Sequence, residues 1–342
     1  MKGTLKAACL LALACGMLAG CTKNGMSGKS ITFTATTASD ETRTAYSGEG
    51  TTSSGVLVKE RIDWVDGDKM TIYSPEALVA FSTDQHAAEY VVSSHSTEGT
   101  RSRAVLSTPV QSATGQPNGL LWDETSATNS FYARYPADAS LINETGMKAT
   151  IPAMQEYLPD GKMDMSYAFM FAKATAAPGA SEVKLEFKPE FTVFQFQING
   201  GGNEAVNVTS ITLSSTSSTL AGSFTVSCSD ESVSLGSDGS STLTVKFPTA
   251  DGIKVVTDPE KPVTISFFAL PVETITNLTL TLVGDKIGTR KLKLTDASGT
   301  MLSFPGKKKY IIKNLNLPEL IDATGEDINW DVEARGESIY WD

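Results

Sequence analysis

Apolar residues recur at every second position in many short segments of this chain. Near the start of the chain, Ile31, Phe33 and Ala35 alternate with threonine. Such alternation gives a strand one face toward a core and one toward water. The second half repeats the pattern in the runs Val183/Leu185/Phe187, Phe194/Phe196/Ile198, Ile211/Leu213, Phe224/Val226, Leu243/Val245/Phe247, Val263/Ile265/Phe267 and Leu278/Leu280/Leu282. No stretch shows sustained helical spacing, so we predict an all-β, antiparallel fold.

The N-terminus has the pattern of a lipoprotein leader. Lys2 and Lys6 precede an apolar run of about a dozen residues, which is too short to cross a bilayer as a helix. The run ends in Leu-Ala-Gly-Cys, the lipobox pattern, and its thiol is that of Cys21. We therefore predict a signal peptide over residues 1–20 and a lipid on Cys21. Thr22 follows where an inner-membrane retention signal would place Asp, which favours the outer membrane and a surface location.

Composition divides the rest of the chain. Residues 21–30 are polar and are predicted to be a tether. About 320 residues remain after the leader, enough for two cores, and the Pro-Gly-containing stretch 172–180 is the best boundary. We predict β-sandwich domains over 31–178 and 179–325, followed by a tail, 326–342. The polar stretch from Ser93 to Arg103 is expected to be a loop within the first domain.

Charge and cysteine usage exclude several functions. The formal net charge is −11; without Lys2 and Lys6 the balance is 26 − 39 = −13. Nucleic-acid binding needs a basic footprint, so no nucleic-acid partner is expected. After removal of the leader and lipidation of Cys21, Cys228 is the one remaining thiol. The fold is then expected to have no internal disulfide, and Cys228 is expected to be a small buried residue.

Motifs of catalysis are missing from the sequence. Neither His86 nor His95 accompanies a G-x-S-x-G elbow, and no phosphate loop or H-E-x-x-H helix occurs. The carboxylates near Asp66 do not have EF-hand spacing; Asp66-Gly67 instead favours a type I′ hairpin turn. We predict no catalytic residue, no metal and no cofactor. Trp122, Trp330 and Trp341 could stack on sugars, although tryptophan in a β-rich protein is more often in the core.

Several segments carry a resemblance to a known family. Residues 31–50 and 61–74 contain a Thr-Arg-Thr step, a strand with Trp and then Gly-Asp leading a strand. Residues 151–174 contain Pro-x-x-Gln, and residues 183–198 read as a strand pair. In this order, with the lipobox, they resemble the fimbrillin-like (Mfa-like) family, the lipoprotein pilins of type V pili in Gram-negative anaerobes. Pro189-Glu190 departs from the family, where a His-containing turn is expected.

The resemblance implies transthyretin-like sandwich domains that assemble by strand exchange. An Arg-specific protease would remove the first strand, here Ile31 to Thr36, and the emptied groove would accept a strand from another subunit. Cleavage is expected after Arg43, because a polar segment precedes it. Arg61, Arg101 and Arg103 are competing sites.

The donor strand would come from the C-terminal tail of another pilin subunit. The tail has alternating apolar residues at Ile328, Trp330, Val332, Ile339 and Trp341. The alternative for the tail is an edge hairpin that packs on its own domain.

The leading interpretation is a non-catalytic structural subunit of a fimbrium with a role in adhesion. It would be held in the outer membrane by its lipid until cleavage. One alternative is a monomeric outer-membrane lipoprotein that binds glycan or host protein without polymerising. A third is a surface hydrolase that uses a pair of acids, since any two carboxylates could meet in the fold.

Overall fold

The computed structural model describes residues 28–37, 62–98, 101–108, 118–158, 163–200, 205–256, 262–295, 299–317, 328–329 and 338–339. These residues form β-strands, turns and two short 3₁₀ helices, Ala139–Leu141 and Met165–Tyr167. None of the described residues lies in an α-helix, so the all-β prediction is confirmed.

The strands of the first part of the chain are short and mostly amphipathic. They are β1 (Phe33–Thr37), β2 (Lys69–Tyr73), β3 (Leu78–Val79), β4 (Ala87–Glu98), β5 (Arg101–Ser107), β6 (Leu120–Leu121), β7 (Asn129–Tyr135), β8 (Gly146–Ile151), β9 (Met154–Glu156), β10 (Met170–Ala176) and β11 (Val183–Pro189).

The remaining strands follow in chain order. They are β12 (Thr192–Asn199), β13 (Val206–Ser215), β14 (Gly222–Ser227), β15 (Val233–Leu235), β16 (Thr242–Lys246), β17 (Ile253–Val255), β18 (Val263–Ala269), β19 (Thr274–Thr276), β20 (Leu278–Gly284), β21 (Gly288–Lys293), β22 (Ser303–Pro305), β23 (Lys309–Asn316), β24 (Ile328–Asn329) and β25 (Ser338–Ile339).

The first sheet closes into a barrel in the order β1-β11-β10-β7-β2-β4-β5. β1 completes the barrel because it pairs with β11 on one side and with β5 on the other. Other strands form the sheets β18-β12-β23-β25, β24-β21-β20-β13-β16-β9 and β15-β14-β8. Most neighbours are antiparallel, as predicted, while β1–β11, β12–β23, β16–β9 and β21–β24 are parallel.

Strand pairing crosses the boundary predicted between residues 178 and 179. β11 follows that boundary but lies in the barrel between β1 and β10. Conversely, β8 and β9 precede it but pair with β14 and β16. The hydrophobic core is continuous through both halves, for example where Phe169 meets the ring of Phe224 edge to face at 6.1 Å. The division into two domains stays a prediction.

Gln155, the glutamine of the Pro-x-x-Gln segment, joins the two halves. Its side chain is buried, and its Nε2 donates to the carbonyl of Phe268 at 2.7 Å. Its Oε1 accepts from the amide of the same residue at 2.9 Å. One side-chain amide therefore replaces a strand neighbour for Phe268 and satisfies backbone groups that would otherwise be buried without partners.

The predicted loop from Ser93 to Arg103 is wrong for most of its length. β4 continues to Glu98 and β5 begins at Arg101, and the two strands pair along this extension. The side chains of residues 93–97 are exposed. Because residues 93–97 have no buried face, they lack the apolar alternation by which a strand is recognised in a sequence.

The turn at Asp66-Gly67 exists, but it is not the predicted type I′ hairpin. The amide of Asp68 donates to the carbonyl of Val65 at 3.0 Å, which closes the turn. Gly67 has φ +94°, whereas Asp66 is not in the left-handed region. A type I′ turn needs positive φ at both central residues. A single positive φ at the third position fits a type II turn, which glycine favours.

Cys228 lies in the core, as predicted, with 1% of its surface exposed. Its Sγ contacts the carbonyl of Asn143 at 3.4 Å, and burial raises the pKa of the thiol to about 11.

Because the thiolate is the reactive form, we expect iodoacetamide to alkylate Cys228 in the folded protein at pH 8 about 100-fold more slowly than in urea. Mass spectrometry of the peptide that contains Cys228 measures both rates. Equal rates would mean that this part of the fold opens readily.

Candidate functional site

The first strand of the chain lies in a groove between two strands that are distant in sequence. β1 runs parallel to β11, with Phe33 opposite Val183 and Thr37 opposite Phe187. It runs antiparallel to β5, with Ala35 opposite Ala104. We call the space between β5 and β11 that β1 fills the β1 groove. Its two walls supply backbone partners to both edges of one strand.

The inner side chains of this strand fill the barrel core. Ile31, Phe33 and Ala35 are 1%, 0% and 0% exposed. The ring of Phe33 packs edge to face on Tyr90 and Phe131, with centroid distances of 5.1 and 5.2 Å. Burial in this cluster raises the pKa of Tyr90. The groove therefore has an aromatic pocket that Phe33 fills, with the small side chain of Ala35 buried beside it.

The residues before β1 extend the same pairing to β6. The amide of Ile31 donates to the carbonyl of Leu120 at 3.1 Å, and Trp122 donates to the carbonyl of Lys29 at 3.1 Å. A Cβ atom at Gly28 would lie 2.9 Å from the Cβ of Leu121, so only glycine allows this close approach. Trp122 is 3% exposed and packs on the core, which leaves no free ring face for a sugar.

An ion pair connects the two walls across the outer face of β1. Nη2 of Arg103, on β5, lies 2.9 Å from Oε1 of Glu182, the residue before β11. Beneath it, Thr34 is 4% exposed, although its neighbour on the same face, Thr36, is partly exposed and Thr32 is exposed. The Thr34 hydroxyl is the largest cause that lowers the pKa of Glu182, and Arg103 adds to it, although Oγ1 of Thr34 is not aligned for a good hydrogen bond.

Further hydroxyl contacts hold the C-terminal end of β1. Oγ1 of Thr36 donates to the carbonyl of Leu185 at 3.4 Å. Oγ1 of Thr37, which is 1% exposed, accepts from the amide of Ser102 at 3.3 Å. The threonines of β1 are thus more than solvent-facing residues, because each reaches a wall of the groove or the ion pair above it.

The predicted sites are distributed unevenly over the structure. Cys21, Arg43 and Arg61 lie outside the described residues, as do Trp330, Val332 and Trp341. Ile328 and Ile339 lie in two-residue strands, β24 on β21 and β25 on β23.

The competing cleavage sites Arg101 and Arg103 were placed in an exposed loop, and this is wrong. Both lie in β5. Arg103 pairs with Thr36 of β1 and with Ser96 of β4, so its backbone has a strand on each side.

The histidines and acidic residues show no arrangement for catalysis within the described part of the chain. Nδ1 of His86 lies 2.8 Å from the carbonyl of Ala77, and Nδ1 of His95 lies 2.8 Å from Oδ1 of Asp66. His86 directly precedes β4 and is partly buried. No group of three or more His, Cys, Asp or Glu among these residues could hold a metal ion.

Two features of the β1 groove were not predicted from the sequence. β11 was assigned to the second domain, and the Arg103–Glu182 pair joins residues 79 positions apart. Only the alternation of Val183, Leu185 and Phe187 could have indicated a strand at this wall, and it does not specify the partner.

The described part of the chain is thus an all-β protein with its first strand in a groove between two later strands. No protein-family profile matches the sequence, and no curated protein matches it. No helix among the described residues is long and apolar enough to cross a membrane.

Solved structures similar to this chain come from Bacteroides. A "putative cell adhesion protein" from Bacteroides uniformis has 12% identity and a TM-score of 0.49, over 82% of this chain and 90% of that one. Another from Bacteroides ovatus has 15% identity and a TM-score of 0.44, over 83% and 91%. A fimbrial protein from Bacteroides ovatus has 9% identity and a TM-score of 0.41, over 92% of this chain and 54% of that one.

Proposed function

We propose that this chain is a non-catalytic subunit of a surface pilus or a related adhesin. It is carried to the outer membrane as a lipoprotein on Cys21 and assembles after its first strand is removed. The observation that supports this most directly is the position of β1, which is paired on both sides and joined to the rest of the described chain through residues 38–61. A cut in that segment separates β1 from the rest of the fold.

Loss of β1 creates a site for another strand. The edges of β5 and β11 lose their backbone partners, and the pocket around Tyr90 and Phe131 loses Phe33. An incoming strand restores both the hydrogen bonds and the apolar burial, which is the physics of β-augmentation. The proposed source is the C-terminal tail of another pilin subunit, either a second copy of this chain or a different pilin.

The position of the cut follows from the same pairing. Residues 38–61 contain Arg43 and Arg61, and cleavage after either one separates β1 while leaving both groove walls intact. Cleavage after Arg103 would instead divide β5, a groove wall, and proteases need backbone that is free to enter their own sites. We propose Arg43, which follows a polar segment, as the cut site, with Arg61 as its competitor and an Arg-specific protease as the partner.

The N-terminus of protein sheared from the cell surface tests this function. We expect a chain that starts at Thr44 and migrates as a ladder resistant to SDS. An R43K variant should keep its lipid and form no ladder, because an Arg-specific protease does not cut after lysine; R290K, the same change within β21, is the matched control. A lipidated Cys21 on all of the material would overturn the proposal and favour an anchored monomer that binds glycan or host protein.

A further inference from the structure

The Arg103–Glu182 ion pair lies where it contacts whatever strand fills the β1 groove. Arg103 belongs to β5 and Glu182 precedes β11, so the pair spans the groove from wall to wall. Arg103 is opposite Thr36 of β1 and Glu182 directly precedes β11, so the pair lies over Thr34, whose exposed fraction is 4%. The position of Thr34 is therefore a closed site on the outer face of the barrel.

We propose that this ion pair is a latch that selects the residue at the Thr34 position of any strand in the groove. A short, uncharged side chain such as that of threonine fits beneath it. A carboxylate at the same position would be buried beside Glu182, a like charge, and would compete with it for the Arg103 guanidinium. This inference rests on the proposed strand exchange and adds a rule for the donor.

Lys184 is the one basic residue directly opposite Thr34 in the register with β11. Its side chain is exposed, so water and salt screen its attraction for a carboxylate at position 34. Glu186 and Thr36 are opposite each other one step along the same face, and Glu186 adds negative charge. Glu182 is 23% exposed and position 34 is 4% exposed, so the contact with Glu182 is screened less than that with Lys184 and decides the preference.

The rule has a consequence for the tail of this chain. If Ile328, Trp330 and Val332 take the places of Ile31, Phe33 and Ala35, residue 331 takes the place of Thr34, and residue 331 is aspartate. If Ile339 and Trp341 take the places of Ile31 and Phe33, residue 342 does so, and it is also aspartate. The latch therefore favours a donor with Thr or Ser at this position over the tail of a second copy.

Release of β1 from a nicked chain tests the latch. A site for a sequence-specific protease placed within residues 47–53 of the full chain allows β1 to be cut from the rest without unfolding it. We expect R103Q and E182Q to release the cut segment about threefold to tenfold faster than the wild type. The charge swap R103E/E182R should restore slow release. K69Q breaks the exposed Lys69–Glu89 pair on the same barrel and should leave the rate unchanged.

Labelled peptides of residues 29–38 then test selection. With excess peptide, we expect the native sequence to enter the nicked chain and a T34D peptide to bind at least about tenfold more weakly. E182Q should cancel or reverse that preference. Equal binding of both peptides by the wild type would overturn the latch while leaving strand exchange intact. Failure of every peptide to enter, with β1 retained, would overturn the proposed function itself.

Discussion

Replacing Phe33 with alanine should lower the free energy of unfolding by about 3 to 5 kcal/mol. The ring is fully buried and packs against Tyr90 and Phe131. Its removal leaves a cavity that the surrounding rings do not fill. Tyr90 and Phe131 lie in β4 and β7, and each of these strands is held in place by its pairing with β2. Urea denaturation of the full chain, followed by tryptophan fluorescence, measures the change. The same variant should release a nicked β1 faster than any substitution on its outer face.

Phe81 provides the matched control for this experiment. It is also a phenylalanine of the first part of the chain, but it is 61% exposed. Its replacement with alanine should change the free energy of unfolding by less than about 0.5 kcal/mol. A loss below about 1 kcal/mol for Phe33→Ala would show that the pocket relaxes around the smaller side chain. The aromatic cluster would then not be the main anchor of β1.

Replacing Glu190 with glutamine should stabilise the protein at pH 8 by about 2 to 3 kcal/mol. Glu190 is 1% exposed, and its Oε2 lies 2.7 Å from Nζ of Lys307. Burial raises the pKa of this carboxyl to about 7 despite the nearby lysine. Loss of hydration thus outweighs the attraction of Lys307, as is common for buried ion pairs.

The sign of the pH dependence follows from the two protonation states. Between its unfolded pKa near 4.5 and its folded pKa near 7, Glu190 binds more protons in the folded chain. Its contribution is therefore fully present below about pH 4.5 and is lost as the pH rises through about 7. The glutamine variant resembles the protonated form, so its advantage over the wild type should be near zero at pH 4.5 and largest at pH 8. Thermal or urea unfolding at both pH values measures this difference.

Glu156→Gln is the control, because it removes the negative charge of an ion pair whose carboxylate is not buried. Glu156 pairs with Lys246 at 2.6 Å, but both side chains are about half exposed, so its replacement should change stability by less than about 0.5 kcal/mol. If Glu190→Gln is less stable than the wild type at pH 8, the attraction between Glu190 and Lys307 exceeds the cost of burying the carboxylate.

Local alternation predicted the strands well, because each amphipathic strand carries its own signal. Val183, Leu185 and Phe187 are buried while the residues between them are exposed, as the sequence indicates. The position of Cys228 in the core followed from the same pattern. Signals of this kind need no knowledge of which strand lies beside which.

Pairing between distant strands could not be predicted in the same way. Nothing local to Glu182 indicates that it meets Arg103, and nothing local to Glu190 indicates that it meets Lys307, 117 residues later. The extended β4–β5 ribbon was mistaken for a loop because both of its faces are polar. In each case the missing information is which distant segments meet in the folded chain. The local sequence of each partner resembles that of an ordinary surface segment.

β1 has one parallel and one antiparallel neighbour, and this fixes the chain direction of any strand that replaces it. A strand that takes over its hydrogen bonds must run parallel to β11 and antiparallel to β5, since reversing it would change the bonding pattern on both walls. Groove and donor are different surfaces, so such a contact is heterologous, and it builds an open fibre where the rotation between subunits does not close a ring. Successive subunits would then all point the same way, and the fibre would have two chemically distinct ends, one with an open groove and one with a free donor.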